Sequence, residues 1–260
     1  MSNPLDFSKR AILVTGGSRG IGRGIAEAFL AAGADVAVCG RSEPDELPRA
    51  ADRSAIFVSA DVRDADQVEK MVDEVVDRLG RLDVLVNNAG GAPFAEAATA
   101  SPRFSEKIIQ LNLTAALHCA QQANRVMQRQ SSGGSIINIA SVSGIRPSPG
   151  TAAYGAAKAG LINLSGTLAI EWGPKVRVNV ISAGMIRTEQ AHLHYGDDEG
   201  VARVADTIPL KRLGTPEDVA GACLYFASPL ASYVSGANLV LHGGGETPAF
   251  LSAASVNRGE

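Results

Sequence analysis

Three residues carry the first suggestion of chemistry: Ser141, Tyr154 thirteen positions later, and Lys158 four positions after that. If the stretch from Gly155 to Gly173 is helical, Tyr154 and Lys158 lie one turn apart on the same face. A cation held beside a phenol favours the phenolate, because opposite charge stabilises the ionised form. A tyrosine with an ordinary pKa of about 10 then becomes an acid–base group near neutrality. Tyrosine and lysine also meet at this spacing on helices that do no chemistry. The pair gains meaning only if the rest of the chain supplies a cofactor and the elements to hold it.

The N-terminal stretch supplies such elements. Ala11 to Val14 is a short apolar run suited to a strand buried on both faces. It leads into Thr15-Gly16-Gly17-Ser18-Arg19-Gly20-Ile21-Gly22 and a helix-period segment to about Ala32. Strand, glycine turn and helix together are the context in which a Gly-rich motif means dinucleotide binding. Gly16, Gly20 and Gly22 let the backbone approach a pyrophosphate at the helix N-terminus. Outside that context the turn would read as purely structural. A second strand, Asp35 to Cys39, ends in Gly40-Arg41-Ser42. An acidic residue at this strand end selects a free ribose 2′-hydroxyl, whereas arginine accommodates a 2′-phosphate. With Arg41 there and Arg19 in the turn, NADP(H) is favoured, with NAD(H) the alternative; the plainest alternative is two solvated arginines.

Further strands are expected at Ala55–Ser59, Val84–Val86, Ser135–Ile139, Val176–Ile181 and Asn238–Leu241. Helices alternate with them. One is capped by Asp64 and stopped by Gly80, one long stretch runs from Pro102 to Gln130, and one starts at Thr215-Pro216 and reaches about Ser228. This alternation predicts one α/β domain over residues 1–260, a Rossmann-type doubly wound fold with a parallel seven-stranded sheet and helices on both faces. The irregular stretch 182–213 reads as a lid over the substrate within that domain. The glycine turn, Arg41, Asp61, Asn87-Asn88-Ala89-Gly90, Ser141 and 182–188 all fall beyond the carboxyl ends of strands, where such sheets bind ligands.

A formal net charge of −3 gives no electrostatic case for nucleic acid or an anionic membrane. The N-terminus shows no signal-like apolar region, and no apolar run is long enough to span a bilayer. Cys39, Cys119 and Cys223 are far apart with no C-x-x-C, which points to reduced thiols in a cytoplasmic protein and no metal site.

In this order the chain resembles the short-chain dehydrogenase/reductase family over nearly its whole length. The matching residues are the glycine turn, Asp61-Val62, Asn87-Asn88-Ala89-Gly90, Asn112, Ser141, Tyr154 and Lys158. The resemblance implies that Tyr154 is the acid in reduction and the base in oxidation, with Lys158 lowering its pKa and bonding the nicotinamide ribose. It implies that Ser141 bonds the substrate oxygen and that Asn112 holds a water in a proton relay. Cofactor contacts implied are Gly16, Ser18, Arg19, Gly20, Ile21, Gly22, Arg41, Asp61 and Val62, then Asn88, Ala89 and Gly90, and Tyr154, Lys158, Ile186 and Thr188. A homotetramer is likewise implied. The departure is Ala183-Gly184 where the family usually has Pro-Gly, which predicts a differently shaped turn.

The expected activity is hydride transfer between the nicotinamide and a small-molecule ketone or secondary alcohol, such as a 3-oxoacyl thioester, a steroid or another lipid-type substrate. A dehydratase or epimerase is a further option. A non-catalytic dinucleotide sensor on the same fold is the competing class, but it would be expected to lack the tyrosine or lysine. Arg146 is a candidate contact for an acidic or acyl-thioester substrate. Phe94, Met185, Ile186 and Leu193 are candidates for an apolar pocket wall. His192 and His194, without further ligands nearby, read as lid residues rather than a metal site; His118 reads as packing, and His242 as a possible subunit contact.

Overall fold

The computed structural model describes residues 3–254, the side chains of Leu193, His194 and Ser252 lying outside that description. In chain order the elements begin with β1 (Ala11–Thr15), α1 (Gly20–Ala31) and β2 (Asp35–Gly40). A two-stranded antiparallel hairpin, β3 (Arg49–Ala50) and β4 (Arg53–Ser54), precedes β5 (Ile56–Ser59), α2 (Ala65–Leu79) and β6 (Val84–Asn87). Next come α3 (Pro102–Ile109), α4 (Ala115–Met127), β7 (Gly134–Ser141), α5 (Ala152–Trp172) and β8 (Val176–Ala183). The last are α6 (His192–Tyr195), α7 (Asp198–Thr207), α8 (Pro216–Ala227), β9 (Asn238–Leu241) and α9 (Ala249–Ala253).

Seven strands form one sheet in the order β5-β2-β1-β6-β7-β8-β9, and every pairing in it is parallel. The chain runs outward from β1 to β2 and β5, then returns to place β6 on the other flank of β1. The crevice between β1 and β6 is therefore the topological switch point where such sheets bind ligands. Both faces are covered. Ile25 and Phe29 of α1 and Val219 and Phe226 of α8 pack one face against Val14, Val86 and Ile137. Val68, Met71 and Val75 of α2 and Ala120 and Ala123 of α4 pack the other against Leu13, Leu85 and Ile136. Strands buried on both sides explain the unbroken apolar runs.

The long expected helix from Pro102 to Gln130 is two helices joined by a π-helical turn at Gln110–Thr114. Such turns inside helices often mark functional positions, and here the turn contains buried Asn112. The helix bearing Tyr154 begins at Ala152, ahead of the expected Gly155. The stretch 182–213 holds more structure than expected: β8 extends through Ala183, and α6 and α7 lie within it. Ala183 pairs with Ser141 on one side and Leu241 on the other, so the residue replacing the family proline completes a strand.

Candidate active site

Ser141 is the last residue of β7, and a 3₁₀ turn over Val142–Gly144 follows it. Its hydroxyl accepts a hydrogen bond from the Ser143 amide at 3.2 Å and shares another with the Tyr154 hydroxyl. Lys158, one helical turn after Tyr154, is buried and donates to the Ile139 carbonyl at 2.8 Å. Its ammonium lies 5.6 Å from the centre of the Tyr154 ring. The structure thus brings Ser141, Tyr154 and Lys158 together beside the last turn of β7.

The electrostatics differ in one respect from the expectation that Lys158 lowers the Tyr154 pKa. Burial pushes the phenol above its ordinary value, and the bond with Ser141 opposes that only in part. Burial also pulls Lys158 down to about 8. Both groups are held closer to their neutral forms than they would be in water.

Asn112 is fully engaged. Its Oδ1 accepts from the Gly91 amide at 2.8 Å, while its Nδ2 donates to the Gly91 carbonyl at 3.0 Å and to the Ile108 carbonyl at 2.9 Å. Both amide hydrogens are used, leaving acceptor capacity on Oδ1 as the only side-chain site for a water. Its side chain ties the loop after β6 to the π turn.

On the cofactor side, Thr15 does work that its place in the motif does not advertise. Its buried Oγ1 accepts from the amides of both Asn88 and Ala89 at 3.0 Å. Asn88 Nδ2 donates to the carbonyls of Thr15 and Gly16 at 3.0 and 3.2 Å. The ends of β1 and β6 are thereby locked together at the switch point. A β-carbon on Gly22 would lie 2.4 Å from the Gly16 carbonyl oxygen, so only glycine lets α1 begin this close to the turn. This glycine-lined cradle, with the amides of α1 at its base, fits a dinucleotide pyrophosphate. Ser18 and Ile21 are partly buried on it, and Arg19 is exposed at its rim.

Arg41 is exposed at the end of β2, near enough to Asp61 to help hold that carboxyl below its usual range. The larger influence on Asp61 is Arg63, whose Nε donates to Oδ1 at 2.9 Å. Val62 beside it is buried. Gly90 and Ala89 line the same crevice, and the Gly90 backbone lies against Asn112 and the Lys158 ammonium. Ile186 is buried with the core and bridges to Gly214. Thr188 faces the glycine turn, 3.6 Å from where a Gly20 β-carbon would stand.

Arg146, in the loop after Ser141, is ion-paired with Glu246 from the segment after β9. That segment bonds the end of α7 and the residues just after it, through Leu210 N to Gly243 O and Thr247 N to Thr207 O. Tyr195 of α6 lies within electrostatic reach of both Tyr154 and Glu246. Phe94 is exposed and packs over the Gly150 backbone. Met185 is partly buried, whereas the Leu193 and His194 side chains lie outside the described residues. Among the described residues no group of three or more His, Cys, Asp or Glu could hold a metal ion. Glu246, Arg63 and Glu189 carry no local motif, which is why sequence reasoning passes over them.

The family profile described as Enoyl-(Acyl carrier protein) reductase matches residues 16–246. The chain belongs to the short-chain dehydrogenase/reductase family of oxidoreductases. It is 38% identical to the L-rhamnose 1-dehydrogenase (NAD(P)(+)) of Azotobacter vinelandii over 246 residues, covering 90% of this chain and 96% of that one. It is 39% identical to the 3-oxoacyl-[acyl-carrier-protein] reductase MabA of Mycobacterium tuberculosis over 240 residues, covering 92% and 93%. A short-chain type dehydrogenase/reductase structure from Mycobacterium ulcerans superposes with a TM-score of 0.86 at 32% identity, over 97% of each chain.

Proposed function

We propose that the protein is an NADP(H)-preferring oxidoreductase that interconverts a ketone and a secondary alcohol, with Tyr154 as acid and base. The observation that carries this reading is the convergence of Ser141, Tyr154 and Lys158 at the end of β7, beside a dinucleotide cradle at the β1/β6 switch point. The nicotinamide, when bound, supplies or accepts the hydride. The chain's part is to hold the substrate oxygen and move its proton. In reduction the Tyr154 hydroxyl gives its proton to the carbonyl oxygen, and in oxidation the phenolate takes the alcohol proton. The Ser141 hydroxyl donates to the same oxygen, where negative charge grows in the transition state. Lys158 stabilises the phenolate when Tyr154 is deprotonated. Asn112 keeps the Gly90–Gly91 loop segment against this group. Gly16, Ser18, Gly20, Ile21, Gly22, Asp61, Val62, Asn88, Ala89, Gly90 and Thr188 form the dinucleotide-binding surface. Ile186, two residues before Thr188, belongs to the same surface at its nicotinamide end.

Arg19 and Arg41 support the preference for a 2′-phosphate. The ion pair with Glu246 engages Arg146, so an uncharged ketone or alcohol, including a lipid-type one, fits better than a carboxylate substrate. The relatives named above differ in substrate, and the reading stops at that class. Ile170 and Tyr233 stand almost wholly in solvent, and Leu239 and Val240 lie on the edge strand β9. Exposed apolar residues of this kind support a homo-oligomer, a tetramer on the family pattern, which light scattering would test. The buried thiols of Cys39, Cys119 and Cys223 suit a reducing cytoplasm, and among the described residues no helix is long and apolar enough to cross a membrane.

The test is a panel of ketones and secondary alcohols with NADPH or NADP⁺ and with NADH or NAD⁺, on wild type and Tyr154→Phe. The expected result is turnover in wild type, faster with the phosphorylated cofactor, and its near-complete loss in the variant. Comparable turnover by Tyr154→Phe would remove the mechanism.

A further inference from the structure

The lid meets the glycine turn through a carboxylate. Glu189 Oε1 accepts a hydrogen bond from the Gly20 backbone amide at 2.9 Å, across 169 residues of chain. Gly20 is the first residue of α1, a twelve-residue helix, whose unpaired amides and positive dipole end favour an anion. The same amides are the seat for a dinucleotide pyrophosphate. Two negatively charged groups therefore claim one position.

The carboxylate has somewhere else to go. A cavity of about 500 Å³ lies against it, lined by Arg187, Thr188, His192, Asp198 and Pro216 as well as by Glu189 itself. Arg187 is weakly committed: it faces Asp198 at 3.6 Å, with both side chains mostly in solvent, and such pairs contribute little. Arg187 is separated from Glu189 by one residue, and His192 Nδ1 lies 3.2 Å from the Glu189 carbonyl oxygen. The segment thus offers one cradle for the carboxylate at Gly20 and a second in the cavity, where Arg187 supplies a cation shared only loosely with Asp198.

We propose that Glu189 is a positioning residue that holds the Gly20 amide and yields it to the pyrophosphate of the dinucleotide, turning into the cavity toward Arg187. The inference rests on the cofactor reading above. Because Thr188 adjoins Glu189 and faces the same turn, the exchange sets where the lid stands when the cofactor arrives. A ligand that lacks phosphate gains nothing from the exchange, since it makes no claim on the amide.

The test is calorimetric titration of adenosine, ADP and NADP⁺ into wild type, Glu189→Gln and Arg187→Gln. Glu189→Gln keeps the shape and an acceptor but removes the charge. It is expected to bind ADP and NADP⁺ about fivefold more tightly, the scale of a charge at a helix end, with adenosine unchanged. Arg187→Gln is expected to weaken NADP⁺ by a similar factor, and to have no effect when Glu189→Gln is already present. Unchanged or weaker ADP binding by Glu189→Gln overturns the proposal and leaves the cofactor reading standing. A wild type that binds neither ADP nor NADP⁺ overturns both.

Discussion

Asn112 closes on Gly91 from both sides, accepting from its amide at 2.8 Å and donating to its carbonyl at 3.0 Å. The third bond, to Ile108, fixes the π turn. A carboxylate has the same shape but no hydrogens to donate. Asn112→Asp is therefore expected to strand two carbonyls and destabilise the fold by about 2–4 kcal/mol at pH 7. Protonation of the new carboxyl restores one donor, so part of the loss should return by pH 4–5 relative to wild type. Urea midpoints at the two pH values decide it, and equal losses at both would rule out the donor argument.

Lys158 bears a cost of burial that depends on pH. Its folded pKa of about 8 lies below its ordinary 10.5. Below pH 8 the lysine is charged in both the folded and the unfolded chain, and the folded state carries the full penalty. Between pH 8 and 10.5 the unfolded state binds more protons, so stability rises with pH; above that window the penalty is gone. The full span corresponds to on the order of 3 kcal/mol, less about 1 kcal/mol for the bond to Ile139. Lys158→Met is thus expected to melt above wild type at pH 7, with the gap closing by pH 10. A constant difference in Tm across that range would contradict the assignment.

Tyr154 carries a raised pKa, caused first by burial and relieved in part by Ser141. As an acid it stays protonated across neutral pH, so the reduction rate should be nearly level from pH 6 to 8. As a base it is scarce there, so the oxidation rate should climb over the same interval. Tyr154→Phe should lower both rates by about 10²–10⁴. Ser141→Ala removes the opposing bond and should move the climb to higher pH. Rate profiles in the two directions, measured with saturating cofactor, would separate these effects.

How much of this was legible depends on how local each signal is. The start of α2 was readable because Asp64 caps it through its own side chain, bonding the amides of Asp66 and Gln67. Its end was readable because Gly80 adopts φ 78°. Thr215 and Asp218 likewise announce α8 with a complete capping box. The break within residues 102–130 was not readable, since no glycine or proline lies between Arg103 and Met127. It is tied to Gly91, which bonds Asn112 from another segment. Asp197 did carry a local signal for α7, bonding the Gly200 amide, but the irregular residues before it obscured the helix. Arg146 with Glu246 and Gly20 with Glu189 meet across 100 and 169 residues. Only the closing of the sheet brings such pairs together, and no spacing rule anticipates them.

Arg41 stands exposed at the end of β2, and Asp61 across from it is already held by Arg63. Arg63 is thus committed, and on the NADP(H) reading proposed above Arg41 and Arg19 are the cations offered to a 2′-phosphate. Arg41→Ala should lower kcat/KM for NADPH by about 10- to 100-fold, the scale of one charge-assisted hydrogen bond, and leave NADH within about twofold. An equal drop with both cofactors would mean that Arg41 supports the fold of the strand end rather than the phosphate.

Gly22 tests whether the cradle depends on closeness of backbone. A β-carbon there would stand 2.4 Å from the Gly16 carbonyl oxygen and 2.5 Å from Asn88 Nδ2. The first of these is backbone and cannot swing aside. Relief requires α1 to move from the turn, and that movement also pulls on the bonds Asn88 makes to Thr15 and Gly16. Gly22→Ala should therefore destabilise the protein by about 1–3 kcal/mol, as overpacking does, and weaken dinucleotide binding by more than the loss of fold alone explains. Gly221 in α8 is the control, because a β-carbon there meets nothing within 4 Å. Gly221→Ala should stabilise by about 0.5–1 kcal/mol, the usual gain for alanine inside a helix. If both variants moved Tm in the same direction, backbone contact at Gly22 would not be what holds the cradle closed.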